Sequence, residues 1–145
     1  ESGLPARALE MEITEGLLMR DTAAVMPILD ALTALGVRIS IDDFGTGYSS
    51  LSYLQRFPID NLKVDRSFVS GIPRHRDSVV ISRAVVAMAA SLDMTVTAEG
   101  VETLEQAEFL QAAGCDKLQG FLFGAPMTAA AYERRLRNLH QADAT

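Results

Sequence analysis

Arg38-Ile39-Ser40-Ile41-Asp42-Asp43 is the stretch whose side-chain phase decides the fold. Alternate side chains of an extended segment share a face, so Ile39 and Ile41 fall on one side and Ser40 and Asp42 on the other. The same alternation sets Leu62 and Val64 against Asn61, Lys63 and Asp65. It also sets Val96 and Ala98 against Thr95, Thr97 and Glu99, and Leu9, Met11 and Ile13 against Glu10, Glu12 and Thr14. Each segment predicts a strand with one apolar face for covering helices and one polar face that gathers charge toward its C-terminal end.

Outward from these segments, strands are predicted at 9–14, 38–42, 61–65, 95–99 and 117–121, with helices at 22–35, 49–56, 76–92, 103–113 and 129–140. Gly36 and Gly114 follow two of the helices where a left-handed cap is expected, and Pro58 ends another. Strict alternation of strand and helix implies parallel strands joined by right-handed crossovers. A sheet covered by helices on both faces should read as nearly continuous apolar runs. Polar strand faces converging at C-terminal ends instead fit a (β/α)8 barrel whose mouth is a site. The expected fold is therefore α/β, the C-terminal portion of a (β/α)8 barrel with about five βα units. Such a barrel takes about 250 residues and eight strands, so residues 1–145 are expected to be one partial domain.

Composition narrows the function. The chain is 48% hydrophobic and 22% charged, the profile of a globular domain with a sizeable core. Its net charge of −6 has the wrong sign for gripping long nucleic acid by its phosphates. A small anionic ligand bridged to carboxylates by divalent cations is compatible with that charge. The longest apolar stretch, 79–92, is interrupted by Ser82, Arg83 and Ser91 and falls short of the roughly 20 residues that span a bilayer. Together with the lone Cys115, this predicts a cytoplasmic location, the parent protein being free to carry a membrane tether elsewhere.

Asp42-Asp43 at a strand end can place one carboxylate between two cations and the second on one of them, the bridge that two-metal phosphodiester hydrolysis needs. By itself the pair also reads as an acidic loop start capping a helix at Ser49. Glu12 and Glu99, in the same inward phase, complete a set of hard oxygen ligands suited to magnesium or manganese, though each alone also reads as a surface charge. Lys63 on that face either forms a structural salt bridge or orients water and stabilises a charged transition state. Gln119 is in phase to hold a water or ligand oxygen. Glu15 and Glu102 lie just beyond strand ends, where they either tie down the glycine loop 45–47 or start solvated helices. Asp65 shares the face of Lys63 and is expected to hold it. His75, His140 and Cys115 show no partner at metal-ligand or nucleophile spacing.

Glu12-Ile13-Thr14-Glu15, Asp42-Asp43-Phe44-Gly45-Thr46-Gly47-Tyr48-Ser49-Ser50-Leu51, Leu62-Lys63-Val64-Asp65-Arg66-Ser67-Phe68-Val69, Ala98-Glu99-Gly100-Val101-Glu102-Thr103 and Gly114-Cys115-Asp116 with Gln119-Gly120 resemble, in order, the motifs of the EAL domain. The resemblance covers about 9–127. It implies a (β/α)8 barrel that hydrolyses cyclic di-GMP to linear pGpG with two magnesium or manganese ions. By motif, Glu12, Asp42, Asp43 and Glu99 belong to the metal cluster, Asp42 bridging; Lys63 contacts the attacking water; Gln119 orders the water and ligand network; and Glu15 anchors the loop from Asp43 to Ser50, which in the family couples dimer contacts to the metals. The family's Glu-Ala-Leu motif and an upstream asparagine ligand are absent, and Ala125 stands where a basic residue often precedes Pro126.

The resemblance thus implies a phosphodiesterase in the parent protein, joined there by sensory or cyclase domains, with the isolated chain inactive. A receptor that binds cyclic di-GMP without turnover is the alternative from another class. A third reading, an assembly module, follows from the uncovered sheet edges and apolar surface of a half barrel. Those edges also predict a homodimer.

Overall fold

The computed structural model describes residues 3–20, 22–45 and 54–142, with the side chains of 19 and 139–142 excepted. After a 3-10 turn at Ala6–Ala8, the elements are β1 (Glu10–Thr14), α1 (Glu15–Arg20), α2 (Thr22–Ala34), β2 (Arg38–Phe44), β3 (Asn61–Val64), α3 (Arg66–Val69), α4 (Arg76–Ser91), β4 (Thr95–Ala98), α5 (Leu104–Ala113), β5 (Lys117–Leu118) and α6 (Ala129–Ala142). The helix expected at 49–56 falls largely outside the described residues.

The strands form one parallel sheet in the order β1-β2-β3-β4-β5. Chain neighbours are sheet neighbours throughout. A doubly wound sheet would reverse direction at a switch point, and no reversal occurs here. The apolar phase read from the sequence faces the helices: Ile39, Ile41, Leu62, Val64, Val96 and Ala98 are all buried. Against them pack Leu29 of α2, Val85, Val86 and Ala89 of α4, and Leu110 of α5 in one continuous core.

Helix ends follow local chemistry. Thr103 and Gln106 form a reciprocal capping box at the start of α5, and Gly114 closes it in the left-handed conformation, φ 94°, which a glycine adopts without a Cβ clash. Asp65 caps α3 by accepting a hydrogen bond from the Ser67 N–H at 3.0 Å.

Two strand ends differ by two or more residues from the expected ones, each for a visible reason. β2 runs on to Phe44 through a register shift against β3 between Ile41 and Phe44, with Asp43 at φ 55°. A bulge of this kind re-aims side chains beside a site. Here it leaves Phe44 in the core while both aspartates stay at the sheet's end. β5 stops at Leu118 because Gly120 lies against the backbone of Val101, where a Cβ would overlap it. The chain then turns, Leu122 N–H donating to Val101 O and Phe123 N–H to Gly120 O.

Candidate active site

The polar strand faces build two stacked layers on the side of the sheet away from the core. The lower layer centres on Asn61, only 1% exposed. Its Nδ2 donates to Ser40 Oγ at 2.9 Å and to Glu10 Oε1 at 3.2 Å. Its Oδ1 accepts from Thr95 Oγ1 at 2.9 Å and Thr97 Oγ1 at 3.1 Å. One side chain thereby ties β1, β2 and β4 to β3. Burying an amide costs little when its donors and acceptor are all used, as here.

The upper layer centres on Lys63, two residues on and in the same phase. Its Nζ lies 2.7 Å from Glu12, 3.0 Å from Asp42 and 2.7 Å from Glu99. Three carboxylates from three strands thus meet on one ammonium. Burial alone would push the Lys63 pKa down, but its hydrogen bonds to Glu12 and Glu99 and the nearby charge of Asp42 outweigh it and hold the group above its ordinary value. Lys63 is therefore a fixed donor and positive charge. Asp42 Oδ1 is buried and accepts no hydrogen bond of good geometry, although the ammonium is within ion-pair distance. Its hold on Lys63 is chiefly electrostatic, leaving a lone pair for a further partner.

Asp43, exposed beyond the bulge, has its carboxyl pushed up, first by partial loss of water and then by the charges of Asp42 and Asp65. Asp65 is held below its ordinary value, first of all by hydrogen bonding to Ser67. The expectation that Asp65 holds Lys63 is corrected: it caps α3 and faces Asp43, whereas the ammonium's carboxylate partners among the described residues are Glu12, Asp42 and Glu99.

Glu15, buried at 3% exposure, accepts the Gly45 N–H at 3.2 Å, at the start of the loop it was expected to anchor; the rest of that loop lies outside the described residues. Glu102 pairs with Arg66 at 2.6 Å; the glycine loop beyond Gly45, which it was also expected to tie down, lies outside the described residues. The Arg66 stem crosses Gly100, where a Cβ would overlap it. Gln119 is set by backbone bonds to β4 and its continuation, its N–H donating to Ala98 O and its carbonyl accepting from Val101 N–H. Cys115 is buried; its thiol donates to the Lys117 or Val96 carbonyl at 3.3 or 3.5 Å, and burial pushes its pKa up.

Glu12, Lys63, Glu102 and Gln119 line a cleft of about 1130 Å³, together with Arg66, Lys117, Arg135 and most of the segment from Gly120 to Met127. Sequence reasoning did not assign Arg66, Lys117 or Arg135 to it; Lys117 was findable from its inward phase, and Arg135, on a distant helix, carried no such signal. Among the described residues no group of three or more His, Cys, Asp or Glu side chains is close enough to hold a metal ion. The hard oxygens of Glu12, Asp42 and Glu99 nevertheless surround one point now taken by an ammonium, and Asp42 Oδ1 has acceptor capacity left. That donor set suits a hard divalent cation.

The family model described as the EAL domain matches residues 1–126. The chain is 50% identical over 137 residues to the cyclic di-GMP phosphodiesterase NbdA of Pseudomonas aeruginosa, covering 94% of this chain and 18% of that protein. Among solved structures, the MucR phosphodiesterase of P. aeruginosa in complex with cyclic di-GMP aligns with a TM-score of 0.86 at 50% identity, over 89% of this chain and 52% of that one. The Klebsiella pneumoniae BlrP1 complex with manganese and cyclic di-GMP aligns with a TM-score of 0.80 at 41% identity, over 86% of this chain and 32% of that one. The chain spans less than a fifth of the length of these curated relatives. No helix of the described residues is long and apolar enough to cross a membrane.

Proposed function

Because the chain belongs to the EAL domain family, we propose that it supplies the Lys63 and carboxylate part of a phosphodiesterase active site that hydrolyses cyclic di-GMP to linear pGpG. The observation that carries this reading is the convergence of Glu12, Asp42 and Glu99 on Lys63 Nζ, at 2.7, 3.0 and 2.7 Å, beside an open cleft.

In the reaction, water adds to one phosphorus of the cyclic dinucleotide and one ring P–O bond breaks, leaving a linear product with a terminal phosphate. Lys63, with two N–H groups directed at Glu12 and Glu99, donates the third to the attacking water. Its neighbours keep it charged and aimed. Gln119, fixed by its backbone on β4, orders water or a ligand oxygen at the cleft wall. Glu15 holds Gly45, and with it the end of β2 that carries Asp42 and Asp43. Magnesium or manganese would be held by Glu12, Asp42, Asp43 and Glu99 and would supply positive charge that polarises the phosphodiester and activates water.

The five strands of the described residues make only part of a (β/α)8 barrel. The isolated chain is accordingly expected to be inactive, to associate through its exposed edges, and to work within a longer protein whose other domains carry sensory or cyclase functions. One observation favours a second reading, a receptor that binds cyclic di-GMP without turnover: among the described residues the carboxylates pair with Lys63 rather than grouping at metal-ligand distances. Product analysis of protein carrying this chain within a complete EAL domain separates the two. Linear pGpG formed with magnesium or manganese, and suppressed by chelation, supports the enzyme; tight binding of intact cyclic di-GMP with no product supports the receptor.

A further inference from the structure

We propose that Arg135, on α6, is a specificity-determining residue that reads a guanine base at the C-terminal end of the cleft. The inference rests on the assignment of cyclic di-GMP as ligand and adds a recognition element from a part of the chain outside the strand-end motifs. Tyr132, Arg135 and Leu136 are spaced i, i+3 and i+4, so they share one face of α6, and all three line the cleft.

The guanidinium is positioned by the loop it crosses. Arg135 Nη2 donates to Phe123 O. Nη1 lies over Gly124, where a Cβ would overlap it. One edge of the planar fork is thus tied to backbone, while an arginine carries five N–H donors in all. The remaining donors have no carboxylate to meet. Of the cations lining the cleft, Lys63 sits on Glu12, Asp42 and Glu99, Arg66 on Glu102 and Lys117 on Glu10, whereas among the described residues Arg135 has no carboxylate within 4.0 Å.

The surroundings select the ligand. Phe121, Phe123 and Tyr132 line the same cleft as Arg135 and are 61%, 44% and 53% exposed. Large rings facing a cavity mark a place that a flat apolar surface covers. A guanidinium fork beside such rings matches guanine, whose O6 and N7 accept two parallel hydrogen bonds from arginine; adenine presents a donor at the position of O6. A phosphate alone would use the charge and leave the rings uncovered.

The test measures dissociation constants for cyclic di-GMP and cyclic di-AMP, which share phosphates and differ in base. It uses wild-type, Arg135→Ala and Arg135→Lys protein carrying this chain within a complete EAL domain, with calcium as the divalent ion. The expected result is a loss of at least about tenfold for cyclic di-GMP in Arg135→Ala, with cyclic di-AMP changed less than about twofold. Arg135→Lys, which keeps the charge but not the fork, should lose most of the same preference. Equal losses for both ligands would assign Arg135 to phosphate and overturn the base-reading role. Wild-type binding with both variants within twofold of it would overturn the inference and leave the ligand assignment standing. Wild-type protein that does not prefer cyclic di-GMP would overturn both. Superimposable thermal melts of the variants check that the fold is kept.

Discussion

Replacing Lys63 by Met removes the ammonium shared by Glu12, Asp42 and Glu99 while keeping a side chain of similar length. Removing one member of a buried ion pair costs about 3–5 kcal/mol, because its partner is left desolvated; in an exposed pair the cost is about 0–1 kcal/mol. Lys63 is 6% exposed, but Glu12 is 52% exposed, and Asp42 and Glu99 are 26% and 21%. Water therefore screens part of the repulsion, and the expected loss is about 2–3 kcal/mol. In a domain of 150–250 residues that is a fall in Tm of about 5–10 °C. The same change frees three hard carboxylates from a competing cation. Saturating manganese should then raise the variant's Tm by more than it raises that of wild type, because a ligand that binds only the folded state stabilises it. Turnover of cyclic di-GMP should fall at least about a hundredfold, the scale on which a positioned charge contributes. Calorimetric melts with and without manganese, beside a hydrolysis assay, test the reasoning. A Tm change below about 1 °C would show that the carboxylates do not depend on Lys63. A manganese shift no larger than that of wild type would show that they do not form the cation site.

Asn61→Leu should lower stability by about 2 kcal/mol or more, since the buried Ser40 and Thr97 hydroxyls lose their partner and each buried unsatisfied group costs about 1–3 kcal/mol; chemical denaturation measures it, and a loss under 1 kcal/mol would mean that water replaces the amide. Cys115, buried with its pKa pushed up, should stay a protonated thiol at pH 8. It should therefore react with a thiol reagent at least about a hundredfold more slowly in folded than in unfolded protein, where reaction waits on local opening. Equal rates would place it at an accessible surface.

The strand phases were legible because burial of one sheet face forces a two-residue period, and Ile39, Ile41, Leu62 and Val64 obey it. The same period brought Glu12, Asp42, Lys63 and Glu99 to one side. What a period cannot carry is contact between segments far apart in the chain. Asn61 was in phase, yet its role as a hub depends on strand register with residues 21 to 51 positions away. Glu102 reaches Arg66 because Gly100 leaves room for the arginine stem, a matter of loop packing. The end of β5 was misread because Gly120 approaches the Val101 backbone, a contact without sequence periodicity. Helices α1 and α3, of 6 and 4 residues, are too short to show an amphipathic repeat. The extension of β2 came from a bulge at Asp43, where a non-glycine residue takes a positive φ.

Steady-state hydrolysis of cyclic di-GMP across a manganese titration, for wild-type and Asp42→Asn protein carrying this chain within a complete EAL domain, bears most closely on the proposed site. Asp42 joins the Lys63 cluster with a buried oxygen that accepts no hydrogen bond of good geometry, and a neutral amide is a poor bridge between two divalent cations. The predicted result is manganese-dependent formation of pGpG by wild type and none above background by the variant, at any manganese concentration and with its fold unchanged by circular dichroism. Near-normal turnover by Asp42→Asn at saturating manganese would contradict the two-metal assignment.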